Sequence, residues 1–351
     1  MEQPTTFPDV GAPSAGDTQP KMVVTTETSA TWRKMVLPVA VCACVGYMVL
    51  YVFLGWYGWG LPAISEQAPG EASRWCERVS DGIFREPVNA VSNLGFVFAG
   101  LLMLRVLSTD SPDGGGPNQF HGLTPVAMLY AIAVIWLGPG SMLMHGTHTP
   151  WGAWADNLSM VMYILIPWLV NVAAMGRWTI RRFFLVYLSL VIAYGVGRLL
   201  FGGRLGINLD FFGLSIALWG ISEVLYRFWS PRLRWLSGML GFVIAAIFGT
   251  MPWDMFAEPA KYWWVILFWL PAALAPQAPR GRRSYKPWFV AGVVTYMTAF
   301  AIWLTGRPGN PLCNPDSLIQ AHAIWHLLSA LATWCFFKFL RTECVIEPTR
   351  L

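Results

Sequence analysis

The sequence predicts an all-α fold, a polytopic bundle of transmembrane helices, on three observations. Hydrophobic residues make up 55% of the 351-residue chain and charged residues only 12%, whereas an ordinary soluble domain carries about 25% charged. Apolar runs of roughly 17 to 22 residues recur, and inside a bilayer such a run closes its backbone hydrogen bonds only as a helix. No stretch of soluble-domain composition separates these runs. A soluble globular enzyme is a poor fit. The net charge of +5 belongs with loops that fix topology, and gives no reason to expect a nucleic-acid partner. Nor does any feature call for an obligate protein partner.

Residues 1–31 are polar, rich in Pro and Thr, and lack the apolar centre of a signal peptide. They are expected to form a disordered cytoplasmic tail. Ten spans then follow, at about 36–57, 88–107, 123–144, 155–173, 183–201, 209–227, 235–251, 262–276, 288–305 and 318–338. The loop "STDSPDGGGPNQFHG" after the second is rich in Gly and Pro. The seventh and eighth spans are short, and "GTMPWDMFAEPAKYW" between them also reads as a re-entrant or interfacial turn. Residues 339–351 are expected to form a second cytoplasmic tail.

The basic residues support this arrangement. With both termini cytoplasmic, that side receives 17 of the 24 Lys and Arg, as the positive-inside rule expects. They include Arg177, Arg181 and Arg182, then Arg232 and Arg234, then Arg280, Arg282, Arg283 and Lys286. The other side receives seven, three of them beside Glu66, Glu71, Glu77, Asp81 and Glu86.

Polar residues gather at four span ends. "CERVSDGIFREPVNAVSN" leads into the second span with Glu86, Asn89, Ser92 and Asn93. The third ends in "GPGSMLMH", with Ser141 and His145 four apart on one helical face. "GTHTPWGAWAD" carries His148 and brings Asp156 to the start of the fourth. "SLIQAHAIWH" opens the tenth with His322 and His326. Parity puts all four groups at the non-cytoplasmic face. Each residue alone has a plainer reading: an interfacial histidine, a helix-packing Asn or Ser, an aspartate cap. Ser317 and Gln320 have the form of a capping box.

His322 and His326 are harder to explain that way. At i and i+4 their imidazoles can reach one ion about 2.0–2.1 Å from each nitrogen, with His145 as a third ligand and a fourth position left for water. Three neutral histidines with an open position point to catalytic zinc. Asp156 would hold the water and take its proton, and Ser141 would donate to the oxyanion. His148, Asn89, Ser92 and Asn93 are candidates to support the ligands; His148 also reads as a proton shuttle or a loop histidine. The implied reaction is attack of zinc-bound water on an amide or ester carbonyl, with a membrane lipid as substrate. Cys76 and Cys313 fall on the same non-cytoplasmic side, where disulfides persist, and are expected to pair.

The order "WCE…N…SN", "GxGSxxxHxT" with an Asp eleven residues beyond the His, and "HAxWH" resembles the alkaline ceramidase family, within a superfamily of membrane hydrolases that includes adiponectin-receptor-like and Per1-like proteins. The resemblance runs from about Trp75 to Trp334. It implies a ceramidase-like domain over residues 75–338 with a seven-helix core, preceded by an extra amino-terminal helix at 36–57. It also implies cleavage of ceramide to sphingosine and a fatty acid, with zinc on His145, His322 and His326, Asp156 at the water and a serine at Ser141. The family's polar lead-in segment binds calcium. Trp75, Glu77 and Glu86 match it and Asp81 is nearby, but Arg74 stands where that family has an acidic residue and Val79 where it has asparagine. Hydrolysis or acyl transfer on another lipid, and a receptor-like or metal-transport role for the same histidines, are the alternatives.

Overall fold

The computed structural model describes residues 30–110, 118–202 and 210–345. The expected tail before residue 30, residues 111–117 of the Gly- and Pro-rich loop, and residues 346–351 lie outside the described residues. The helices run in order α1 Ala30–Trp56, α2 Pro87–Ser92, α3 Leu94–Thr109, α4 Pro125–Thr147, α5 Pro150–Gly176, α6 Ile180–Phe201 and α7 Asp210–Phe228. There follow α8 Pro231–Leu236, α9 Met239–Ile247, α10 Pro252–Ala257, a 3-10 turn Trp263–Trp269, α11 Leu270–Leu274, α12 Trp288–Thr305 and α13 Ala321–Leu340. Two short strands, β1 Gly281–Arg282 and β2 Cys344–Val345, pair antiparallel. The chain is an all-α membrane-protein bundle.

Threonine caps start three of the long helices. Thr124, Thr149 and Thr179 accept from the amides of Ala127, Gly152 and Arg182, and Pro125 and Pro150 occupy first-turn positions where no amide donor is needed. Only His148 and Thr149 link α4 to α5, with His148 in the left-handed region at φ 55°. This tight reversal keeps the last turn of α4 beside the first turns of α5. Small residues then let the helices close up: a Cβ on Gly100 would lie 2.7 Å from the Ala131 carbonyl oxygen, and one on Gly152 2.5 Å from that of Leu143. Helices α4 and α5 are the most buried of the long helices, and α1, α6 and α12 the least.

Among the described residues eight helices are long and apolar enough to cross a membrane, counting α2 and α3 as one. The sequence reading gave ten. The difference lies in the seventh and eighth expected spans, which form a broken hairpin of α8, α9, α10, the 3-10 turn and α11. Gly249 at φ 84° turns the chain, while Pro252 and Pro271 interrupt the apolar runs. Trp269 lies flat against Gly238 and Phe268 against Gly241, so the two arms pack on each other. Two spans fewer leave the parity of every later segment unchanged.

Far from the histidines, the end of α13 is tied down rather than trailing as a tail from residue 339. Buried Arg283 donates through Nη1 to Asn171 Oδ1 at 2.6 Å and through Nε to Glu343 Oε2 at 2.8 Å. Its Nη1 also meets Glu223 at 3.3 Å, and the Tyr285 hydroxyl donates to the same Glu223 carboxylate at 2.6 Å. Removing the guanidinium strands a buried carboxylate. Arg283→Ala should cost about 3–5 kcal/mol, read as a lowered thermal unfolding midpoint in detergent.

Candidate metal centre and active site

The centre is assembled at one end of the bundle from α4, α2, α13 and the lead-in segment 57–86. His145 sits in the last turn of α4, and His322 and His326 in the first two turns of α13. All three are buried, and one ligand nitrogen from each lies within 4.8 Å of the others. The Nε2 atoms of His145 and His322 are 3.1 Å apart.

The outward nitrogens fix the tautomers. His145 Nδ1 is 2.8 Å from Glu86 Oε2, so its proton lies on Nδ1 and its Nε2 lone pair points inward. His326 Nδ1 is 3.1 Å from the Asn89 carbonyl oxygen and 2.8 Å from Ser92 Oγ, while the Ser92 hydroxyl itself donates to Asn89 O at 2.8 Å. That again leaves the proton on Nδ1. Converging lone pairs in a dry site repel one another and fit a cation between them. Two nitrogens on one tetrahedral zinc, each at about 2.0–2.1 Å, would lie about 3.3 Å apart, close to the separation found here. The residues fit a zinc-like ion, and the carboxylate, carbonyl and hydroxyl behind the imidazoles are the usual partners of metal-bound histidine.

Glu86 holds this arrangement together. Besides His145 it accepts from His148 Nε2 and Asn89 Nδ2, both at 2.8 Å, and its own amide donates to the His145 carbonyl at 2.9 Å. Burial alone would raise its carboxyl, but the His145 and His148 imidazoles outweigh that and hold it well below the usual carboxylate range. Glu86→Gln keeps the shape but removes the charge. It should weaken zinc binding about 10–100-fold, measured by competition with a metal chelator.

The lead-in segment covers the histidines. Trp75 stacks on His322 with ring centroids 4.4 Å apart and meets Trp303 of α12 at 5.5 Å. Cys76, at φ 79°, is disulfide-bonded to Cys313, and Arg78 makes a two-pronged pair with Asp316. The segment is thus fastened on both sides of Glu77 to the loop that precedes α13. That loop is braced by Gln320, whose amide donates to the carbonyls of Ser317 and Asn314. Gln320 is itself the N-cap residue and makes no side-chain cap bond, so the expected Ser317–Gln320 capping box does not form.

Ser141 is buried one turn before His145. Asp156 lies in the second turn of α5, within electrostatic reach of His145. Asn93 donates to Asn89 O at 2.9 Å and steadies the α2–α3 junction.

The calcium reading does not fit. Both Glu77 oxygens accept backbone amides, Val88 N at 2.7 Å and Asn89 N at 2.8 Å, so Glu77 serves as a remote cap on α2. Burial pushes its carboxyl up, partly offset by those amides. Glu86 is committed to imidazoles, Trp75 lies on His322, and Asp81 is exposed beside Arg85. A calcium ion takes about 6–8 oxygens, and these residues do not offer such a set. Glu66, which the sequence reading passed over, is instead a buried partner of Arg74, with Oε2 3.9 Å from His148 Nδ1.

No curated protein matches the chain. A family model described as Ceramidase does, over residues 71–348. The matched stretch begins in the lead-in segment just before Trp75 and ends beyond α13, so it takes in the three histidines, Glu86, Asn89, Ser92, Ser141 and Asp156, and leaves α1 and Glu66 outside. The chain belongs to the ceramidase family.

Proposed function

We propose that the chain hydrolyses the amide bond of ceramide, giving sphingosine and a fatty acid, with a zinc ion held by His145, His322 and His326. The observation that carries this reading is the convergence of three buried imidazoles whose outward nitrogens, on His145 and His326, are held by Glu86, Asn89 and Ser92. Bound zinc supplies Lewis acidity to the amide carbonyl and eases the ionisation of water.

The remaining work falls to side chains. Asp156 takes a proton from the attacking water and returns it to the departing amine; the water oxygen joins the acyl carbon as the C–N bond breaks. Ser141 donates its hydroxyl to the carbonyl oxygen as negative charge gathers there. Glu86 keeps the His145 proton on Nδ1, and Trp75 shields His322 from bulk water. The substrate is a long-chain lipid drawn from the surrounding bilayer. In the membrane, the histidine end faces the non-cytoplasmic side with both termini cytoplasmic. The Cys76–Cys313 bond at that end supports this orientation, because such bonds persist in oxidising compartments.

Zinc-loaded, detergent-purified protein incubated with a mixed lipid extract should release sphingosine and fatty acid in equal amounts, read by mass spectrometry. Fatty acid released from glycerolipids without a sphingoid base would redirect the assignment to another lipid. Neither product over a broad pH range would favour a receptor-like or transport role.

A further inference from the structure

We infer that the Arg74 guanidinium is the built-in cation that holds the lead-in segment on the metal centre, and that this chain works without calcium. The inference starts from a complete account of the carboxylates between residues 59 and 86. Glu66 pairs with Arg74. Glu71 accepts from the Ala68 amide at 3.0 Å. Glu77 is occupied by two amides, Asp81 is beside Arg85, and Glu86 bridges His145 and His148. Every acid in the segment is matched by a donor from the chain itself. A divalent ion would have to strip several of these bonds, and two of them cap α2 while another orients a metal ligand.

Arg74 is placed to do what a bound cation would do. Its partner Glu66 is buried, with a side chain 3% exposed, while Arg74 itself is 39% exposed. The pair therefore brings a solvated charge to the edge of a dry site, where a lone carboxylate would be costly. From Glu66 the contacts run inward: Oε2 faces His148 Nδ1 across 3.9 Å, His148 Nε2 meets Glu86 at 2.8 Å, and Glu86 meets His145 at 2.8 Å. Neither Glu66 Oε2 nor His148 Nδ1 makes a hydrogen bond, so the link between the two side chains is close approach across 3.9 Å and not a bond. Arg74 also lies next to Trp75, and its amide is fixed by Gln67 Oε1 at 3.1 Å. Losing its charge would loosen both Glu66 behind His148 and the tryptophan on His322. Arg74 is in this sense a positioning residue, acting through Glu66 and His148.

The inference rests on the zinc amidase reading for its link to turnover, but calcium binding and stability test it separately. Purified wild-type protein should bind no calcium by isothermal titration, and its thermal midpoint should be the same with millimolar calcium as with the calcium-selective chelator EGTA. Saturable calcium binding, or a midpoint several degrees higher with calcium, would overturn the inference whether or not any lipid is cleaved. Arg74→Gln should weaken zinc binding about tenfold and lower the midpoint, with Arg74→Lys restoring most of both. Arg74→Gln with wild-type zinc affinity would remove the positioning role. If Arg74→Gln fails to fold, Glu66→Gln reads the same link from its partner, and unchanged zinc affinity there has the same meaning. Absence of ceramide hydrolysis in a wild-type protein that is stable, zinc-loaded and calcium-free would count against the proposed function and leave this inference standing.

Discussion

His322→Ala and His326→Ala should each leave the purified protein almost free of zinc, against about one ion per chain in the wild type, and lower turnover by about a thousandfold or more. The size follows from the chemistry. A Lewis acid contributes several kcal/mol at the transition state, and each 1.36 kcal/mol lost is about tenfold in rate. His121→Ala is the control, because His121 bonds the Arg341 carbonyl at the other end of the bundle and should keep its metal. Elemental analysis of folded protein gives the answer directly. Full zinc occupancy in both α13 variants would remove the centre.

Asp156→Ala should separate metal binding from chemistry. Zinc content should stay near the wild-type value while turnover falls about 10²–10⁴-fold, the usual range for a proton-transferring group. Ser141→Ala should lower turnover about 10²–10³-fold, as loss of one oxyanion donor does, and likewise keep the metal. Loss of zinc in Asp156→Ala would make the aspartate a ligand or a support for one. Full activity would exclude it from proton transfer.

Much of the centre could be read from the order of the residues. Two histidines at i and i+4 share a face whatever surrounds them, and charge-based parity was enough to bring His145 to the same end. Parity survived the loss of two spans because the broken hairpin removed an even number. Hydropathy could not tell that hairpin from two crossings: it records the composition of 235–251 and 262–276, whereas Gly249, Pro252 and Pro271 decide their path. Glu86 shows the other limit. Its residue type and neighbourhood suited a calcium ligand as well as a histidine partner, and only the folded lead-in segment determines what its two oxygens meet. That segment has neither helical nor strand periodicity, so its pairings, Glu66 with Arg74 above all, leave no trace in the spacing. Arg74 looked like a departure from the expected pattern. In the fold it is the counter-charge of a buried acid.

The wide separation of the three histidines along the chain also bears on how the protein is made. His145 and His322 are 177 residues apart, and Cys76 and Cys313 are 237 apart. At about 5–20 residues per second, a ribosome needs roughly 9–35 s to reach His322 after His145. For most of that interval the nascent chain holds Glu86, Asn89, His145 and His148 without the α13 histidines, and Cys76 without Cys313. Zinc held by all three histidines has to wait for α13, whereas Cys313 lies in the loop before it, so the disulfide can close as soon as that loop is delivered. Zinc on all three histidines would therefore mark a chain whose membrane insertion has run through α13, and newly made protein isolated with the disulfide closed but without zinc would show that the bond comes first.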